Sequence, residues 1–287
     1  MLTFYDLLER ITGWANYTPD VRAALLIGSY ARDDHPADAW SDMDVLVVAR
    51  HHEQFIHSAD WLNKIGPNLL TFIEPVGNSR SYERRTLFTG GLDVDLSFVS
   101  PAWLEGVLQE MPPDVADVIR RGARILVDKD GDLQKLLQIP LPAAIAWQKP
   151  TENEFINATS DFWFHTLWSA RHLRRGELWW AKSGVDIRLK EHLRLMLEWH
   201  THARRGDRVD TWLRGRFLEE WADPRAVEQL RFAFAHYDAR DIADALRNTM
   251  NLYRWLEDET AACWDYAPPI SSENRTAGIT IELLKSL

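Results

Sequence analysis

Asp42 and Asp44 flank a single apolar residue and lead directly into the run Val45-Leu46-Val47-Val48-Ala49. Residues two apart in a strand point to one face, so these carboxylates are expected side by side. Acids that close repel each other and resist ionisation unless a cation bridges them. Oxygen donors on one face suit magnesium, which takes one or two carboxylates together with phosphate oxygens. Upstream, Ala23-Ala24-Leu25-Leu26-Ile27 reads as a strand ending on Gly28-Ser29. Glycine there lets the backbone approach a phosphate, and the serine hydroxyl and amide can donate to it. Either piece alone reads as a turn or as solvated acids. Together, between apolar flanks, they read as a phosphate and metal site.

A third acid extends the pattern. Leu92-Asp93-Val94-Asp95-Leu96-Ser97-Phe98-Val99 alternates strictly, which puts Asp93 and Asp95 on one face and Val94, Leu96 and Phe98 on the other. A wet strand face accounts for one acid equally well. A carboxylate beside the Asp42–Asp44 pair, however, completes a site for two metal ions, one activating an attacking oxygen and the other steadying the leaving group.

These acids need a sheet to hold them. Further strands are expected over residues 69–73, 85–88 and 125–127, and a helix over 53–65, stopped by Gly66-Pro67. Ser100-Pro101 is an N-cap and first-turn proline for a helix to about Leu108. Beyond the proline-punctuated stretch from Ile139-Pro140 to Lys149-Pro150, helical periodicity takes over. Leu189, Leu193, Met196, Leu197 and His200 form one stripe, and Ile242, Leu246, Met250, Tyr253 and Leu256 another. Nine of the fourteen tryptophans lie in this half, most of them expected in the core. The expected fold is α+β, a small mixed sheet with flanking helices over residues 1–148, followed by an all-α bundle over 149–287.

The formal net charge of −10 argues against duplex nucleic acid as a partner. Residues 1–150 hold 14 Lys+Arg against 21 Asp+Glu, a surface suited to metal ions or a cationic substrate, and equally to solubility alone. No apolar run approaches the roughly 18 residues of a membrane span, and the N-terminus lacks the basic start of a signal peptide. The single cysteine, Cys263, cannot form an internal disulfide; flanked by Ala262 and Trp264, it is expected to be buried on a helix. A cytoplasmic location is expected.

Gly-Ser, a spacer of about a dozen residues, Asp-x-Asp and a later hydrophobic-Asp-hydrophobic strand resemble the nucleotidyltransferases of the DNA polymerase β type. Gly28-Ser29-Tyr30-Ala31-Arg32, Trp40-Ser41-Asp42-Met43-Asp44, Glu83-Arg84-Arg85-Thr86-Leu87-Phe88 and Gly91-Leu92-Asp93-Val94-Asp95 are similar to the streptomycin (aminoglycoside 6-) adenylyltransferases. So are Asp161-Phe162-Trp163-Phe164, Arg175-Gly176-Glu177-Leu178, Ala181-Lys182 and Met196-Leu197-Glu198-Trp199-His200, and the likeness runs from about residue 22 to 265. The resemblance implies transfer of AMP from ATP to a hydroxyl of a cationic small molecule, streptomycin, with magnesium, two ions being expected. It puts Asp42, Asp44 and Asp95 on the metal, with Asp95 as general base and Asp93 its rival. Gly28, Ser29, Arg32 and Lys182 are expected on the nucleotide. Ser160-Asp161 stands where the family form has Asn-Glu, a departure that bears on the acceptor.

Asp93, Glu152, Glu154 and Asp161 are candidates for binding a cationic acceptor, and the last three equally for ordinary helix-start acids. His35, His51, His52 and His57 fit no metal-ligand spacing and are expected on the surface. Arg171, Arg174 and Arg175 read as a solvated helix face. Two other functions remain at this level: the same chemistry on another small-molecule or protein hydroxyl, and a nucleotide-binding relative that has lost catalysis, which the intact acids disfavour.

Overall fold

The computed structural model describes residues 2–76, 81–144 and 146–285. The chain forms two compact units, Met1–Ile145 and Ala146–Leu287.

The first unit is built on a six-stranded mixed sheet. Its elements are α1 (Phe4–Tyr17), β1 (Val21–Ile27), β2 (Met43–Ala49), α2 (His52–His57), β3 (Asn68–Val76), β4 (Ser81–Phe88), β5 (Leu92–Val99), α3 (Pro101–Gln109), α4 (Pro113–Arg121), β6 (Ala123–Asp128) and α5 (Asp132–Gln138). The strand order is β3-β4-β5-β2-β1-β6. β2 and β5 pair in parallel and the other neighbours antiparallel.

The two sheet faces are covered differently, and this decides where the site lies. On one face Ala24, Leu26, Val45, Val47, Val94 and Leu96 pack with α1 and with an aromatic cluster of Trp14, Phe55, Trp61 and Phe98. On the other, Ala23, Leu25 and Val48 pack with Leu104 and Val107 of α3 and Leu133 and Leu136 of α5. That second apolar layer covers the C-terminal part of β2. Asp44 and Asp95 share its side of the sheet but stand nearer the N-terminal ends of β2 and β5, where the layer stops.

The helix expected over 53–65 is two pieces, α2 and a 3₁₀ turn at Asp60–Lys64. The cause lies in a distant strand. Buried Arg84 donates from Nε to the Phe55 carbonyl at 3.0 Å and from Nη2 to the Ile56 carbonyl. Trp61 Nε1 takes the Ser58 carbonyl at 2.8 Å. With these carbonyls satisfied from outside, the helix can end there. The N-terminal helix α1, not foreseen in the sequence, starts from a capping box of Thr3 and Asp6 and buries Leu7, Ile11, Trp14 and Ala15.

The second unit is helical: α6 (Glu152–Arg174), α7 (Leu178–Ser183), α8 (Leu189–Arg205), α9 (Leu218–Trp221), α10 (Pro224–Leu230), α11 (Ala239–Trp264) and α12 (Ile270–Leu284), with a π-helical turn at Gly184–Arg188. Both expected stripes are buried, on α8 and α11. Phe162 stacks on Tyr253 in the core between α6 and α11. Cys263, expected to be buried, is exposed, because α11 turns Thr260 and Ala261 inward instead. Among the described residues no helix is long and apolar enough to cross a membrane.

Candidate active site

β1 ends at Gly28, whose φ of +70° opens a 3₁₀ turn over Gly28–Ala31. Ile27 lies opposite Asp44 in the β1–β2 register, so this turn packs directly on the Asp44 side chain. A Cβ at Gly28 would overlap Oδ2 of Asp44 and lie 3.1 Å from its Cγ. Glycine is therefore required twice over, for the left-handed backbone and for the space. Ser29 is buried, and its Oγ donates to the Asp42 carbonyl at 3.3 Å. The next strand is thereby tied to the turn.

Asp42 immediately precedes β2, Asp44 lies on it, and Asp95 lies opposite Asp44 in the parallel β2–β5 pairing. One oxygen from each of the three lies within 4.8 Å of the others, which fits a hard divalent cation. Burial, then Asp42 and Asp95, push Asp44 from 3.8 up to about 7. Burial likewise raises Asp95, although Arg85 works against the rise. Such crowding is what a bound cation relieves.

Asp44 therefore holds a proton in the metal-free fold that an unfolded chain releases above about pH 4. Stability of the metal-free protein is expected to fall as pH rises from about 4 through about 7. Magnesium added below pH 7 is expected to release close to one proton per chain. Titration calorimetry in buffers of different ionisation enthalpy reads this directly. Heats independent of the buffer would remove Asp44 from the metal site.

Pairing across the sheet adds residues whose role the sequence did not reveal. Arg85 on β4 lies opposite Asp95 and grips it at two points, Nε to Oδ1 at 2.9 Å and Nη2 to Oδ2 at 2.7 Å. It also reaches Glu74 at 3.1 Å and Asp93 at 3.9 Å. Burial opposes the charge on Arg85, but its acidic partners outweigh burial and hold it charged. Glu83, two residues before Arg85 on the same face, is raised by burial and by Asp95. A charged pair in two strands leaves no local periodic signal, and only the register joins it.

The remaining candidates have these partners within their own units. Arg32 donates from Nε to the His35 carbonyl at 2.8 Å. His51 pairs with Asp20 and His35 with Asp34, while His52 and His57 line a cavity of about 560 Å³ with Ser100 and Trp103. In the helical unit Glu154 closes the capping box of α6 with Thr151, and Glu152 accepts from the Ala267 amide at 2.9 Å. Asp161 stands nine residues beyond Glu152, about 14 Å along the helix, and gathers His165 and His192. Lys182 pairs with Asp186 and donates to the Ala235 carbonyl at 2.6 Å.

The turn packs on Asp44, one of three converging carboxylates, and comparison with known proteins gives the family. The family model described as streptomycin adenylyltransferase matches residues 1–279. This chain belongs to that family. It is 22% identical to an aminoglycoside 6-adenylyltransferase of Campylobacter jejuni over 277 residues, 93% of this chain and 91% of the relative. A Staphylococcus aureus aminoglycoside 6-adenylyltransferase is 21% identical over 282 residues, covering 96% of each. The crystal structure of an aminoglycoside 6-adenyltransferase from Bacillus subtilis aligns over 96% of both chains at 17% identity, with a TM-score of 0.43. By its family the protein is a nucleotidyltransferase, and its six-stranded mixed sheet with a helical second unit is the α+β fold expected from the sequence.

Proposed function

We propose that this enzyme transfers AMP from ATP to a hydroxyl of an aminoglycoside, with streptomycin as acceptor. The observation that carries the reading is the convergence of Asp42, Asp44 and Asp95 beside the Gly28-Ser29 turn. Family membership and the names of the relatives support the acceptor class.

The acceptor oxygen attacks the α-phosphorus in line. The bond from that phosphorus to the β-phosphate bridging oxygen breaks, and pyrophosphate leaves. A divalent cation held by Asp42, Asp44 and Asp95 supplies neutralisation of the charge on the transferring and leaving groups. Gly28 and Ser29 present backbone amides to the triphosphate, and the Ser29 hydroxyl reaches it by turning from the Asp42 carbonyl. The hydroxyl proton goes to a carboxylate. Asp95, gripped at two points by Arg85, and Asp93, whose side chain is 45% exposed on the same face, are the two carboxylates placed to take it. Asp93, Glu83 and Glu74 continue the acidic face from the metal carboxylates toward the β3 edge, a surface complementary to guanidinium groups.

The test is to incubate enzyme, ATP, magnesium and streptomycin and to seek by mass spectrometry a product heavier by one AMP, together with released pyrophosphate. A product with kanamycin or lincomycin and none with streptomycin would keep the reaction and discard this acceptor. No product with any of them discards the acceptor class.

A further inference from the structure

The helical unit gathers a second set of metal-type donors. Asp161 and His165 lie one turn apart on α6, and His192 reaches them from α8. Asp161 Oδ1 is 2.6 Å from His165 Nδ1, and its Oδ2 is 3.4 Å from His192 Nε2. One ligand atom from each residue lies within 4.8 Å of the others. The imidazoles are near-parallel, with centroids 6.2 Å apart.

We propose that Asp161, His165 and His192 form a transition-metal site, with zinc as the ion that fits best. The donor set separates it from the first site. Two imidazoles and one carboxylate suit zinc, whereas magnesium prefers oxygen ligands. Zinc bonds of about 2.0–2.2 Å at tetrahedral angles separate neighbouring ligand atoms by about 3.4 Å. The Asp161–His192 pair already stands at that spacing. The Asp161–His165 pair is at hydrogen-bond distance and widens by about 0.8 Å when an ion replaces the shared proton.

The surroundings fit an open, three-ligand site. The His165 and His192 side chains are 19% and 14% exposed, so packing restricts both rings. Both rings also line a cavity of about 640 Å³ with Trp168, Trp180 and Arg188. The cavity gives an ion its entry path and leaves room for water or another ligand in the fourth position. One wall is the π-helical turn at Gly184–Arg188, an irregularity common at functional sites. Arg188 is the competing cation at Asp161. Its Nη2 stays 3.4 and 3.3 Å from the two oxygens, longer than a charge-assisted hydrogen bond of about 2.7–2.9 Å, and its side chain is 53% exposed. It can swing aside without leaving a buried charge.

The experiment uses the full chain, stripped with a chelator and then held in excess magnesium to occupy the oxygen-donor carboxylates. Calorimetric titration with zinc is expected to show one equivalent bound. His165→Gln and His192→Gln should each weaken binding by more than the roughly 10–100-fold that loss of an outer-sphere partner costs, while His236→Gln leaves it unchanged. Cobalt(II) added to the parent should give the strong visible bands of a low-coordinate, nitrogen-ligated ion, so the site is readable even if a glutamine variant fails to fold. No zinc bound by the parent, undiminished affinity in His192→Gln, or the weak cobalt spectrum of a six-coordinate oxygen site would each overturn the proposal.

Discussion

Asp44→Asn is expected to lower turnover about 10²–10⁴-fold while the metal-free protein melts no lower than the parent. The activity loss follows from removing one carboxylate from a cation that offsets several kcal/mol of transition-state charge, each 1.4 kcal/mol being tenfold in rate. The stability follows from crowding. Asp44 is buried against Asp42 and Asp95, which is why its carboxyl is pushed up to about 7. A neutral amide of the same shape replaces a carboxyl that is already protonated below about pH 7 and relieves the repulsion above it. Asp42→Asn should lose turnover similarly. Turnover at saturating magnesium and thermal melting by circular dichroism, on the same preparations, separate the two effects. Near-normal turnover in either variant at low magnesium would place the metal elsewhere.

Gly28→Ala should be the most damaging change that alters no charge. Its methyl group would overlap the Asp44 carboxylate, and the left-handed backbone adds about 1–2 kcal/mol of strain. Relief requires either the turn or the Asp44 side chain to move. Misplacing a reacting group by about 1 Å costs on the order of 10²-fold in rate. The expected result is a turnover loss of at least that size together with a lower melting temperature. Gly131→Ala is the control, since Gly131 is also left-handed, with φ +77°, yet has open space around its Cβ position. It should lose comparable stability and keep activity. Equal activity losses in both variants would assign the effect to general destabilisation and not to the contact with Asp44.

The local code was legible wherever one element contained the whole signal. The alternation in Leu92–Val99 put Asp95 on one face and Val94, Leu96 and Phe98 on the other, and burial follows that division for the three apolar residues. The stripes on α8 and α11 are buried throughout for the same reason, because a helical period fixes which residues share a face. Family motifs extended this reading to the acids as a set, although no single strand shows that they meet.

What joins separate elements was decided by the tertiary structure. The parallel register sets Asp95 beside Asp44, and the antiparallel one lays Arg85 across Asp95, whereas the sequence showed these residues only as separate motifs. Arg84 and Trp61 take the carbonyls that a continuous helix over 53–65 would have used, so local periodicity there was overruled. Of the tryptophans in the helical unit, Trp163, Trp199 and Trp221 are buried, while Trp179 and Trp180 are exposed, a difference that composition and period do not carry. Asp161 read as a helix-start acid or an acceptor contact; His165 lies one turn along the same helix, and packing of α6 against α8 adds the His192 imidazole. Period and spacing act over a few residues of one segment, so the sequence by itself determined the faces. Register and helix packing join residues tens of positions apart, so only the fold determined the partners.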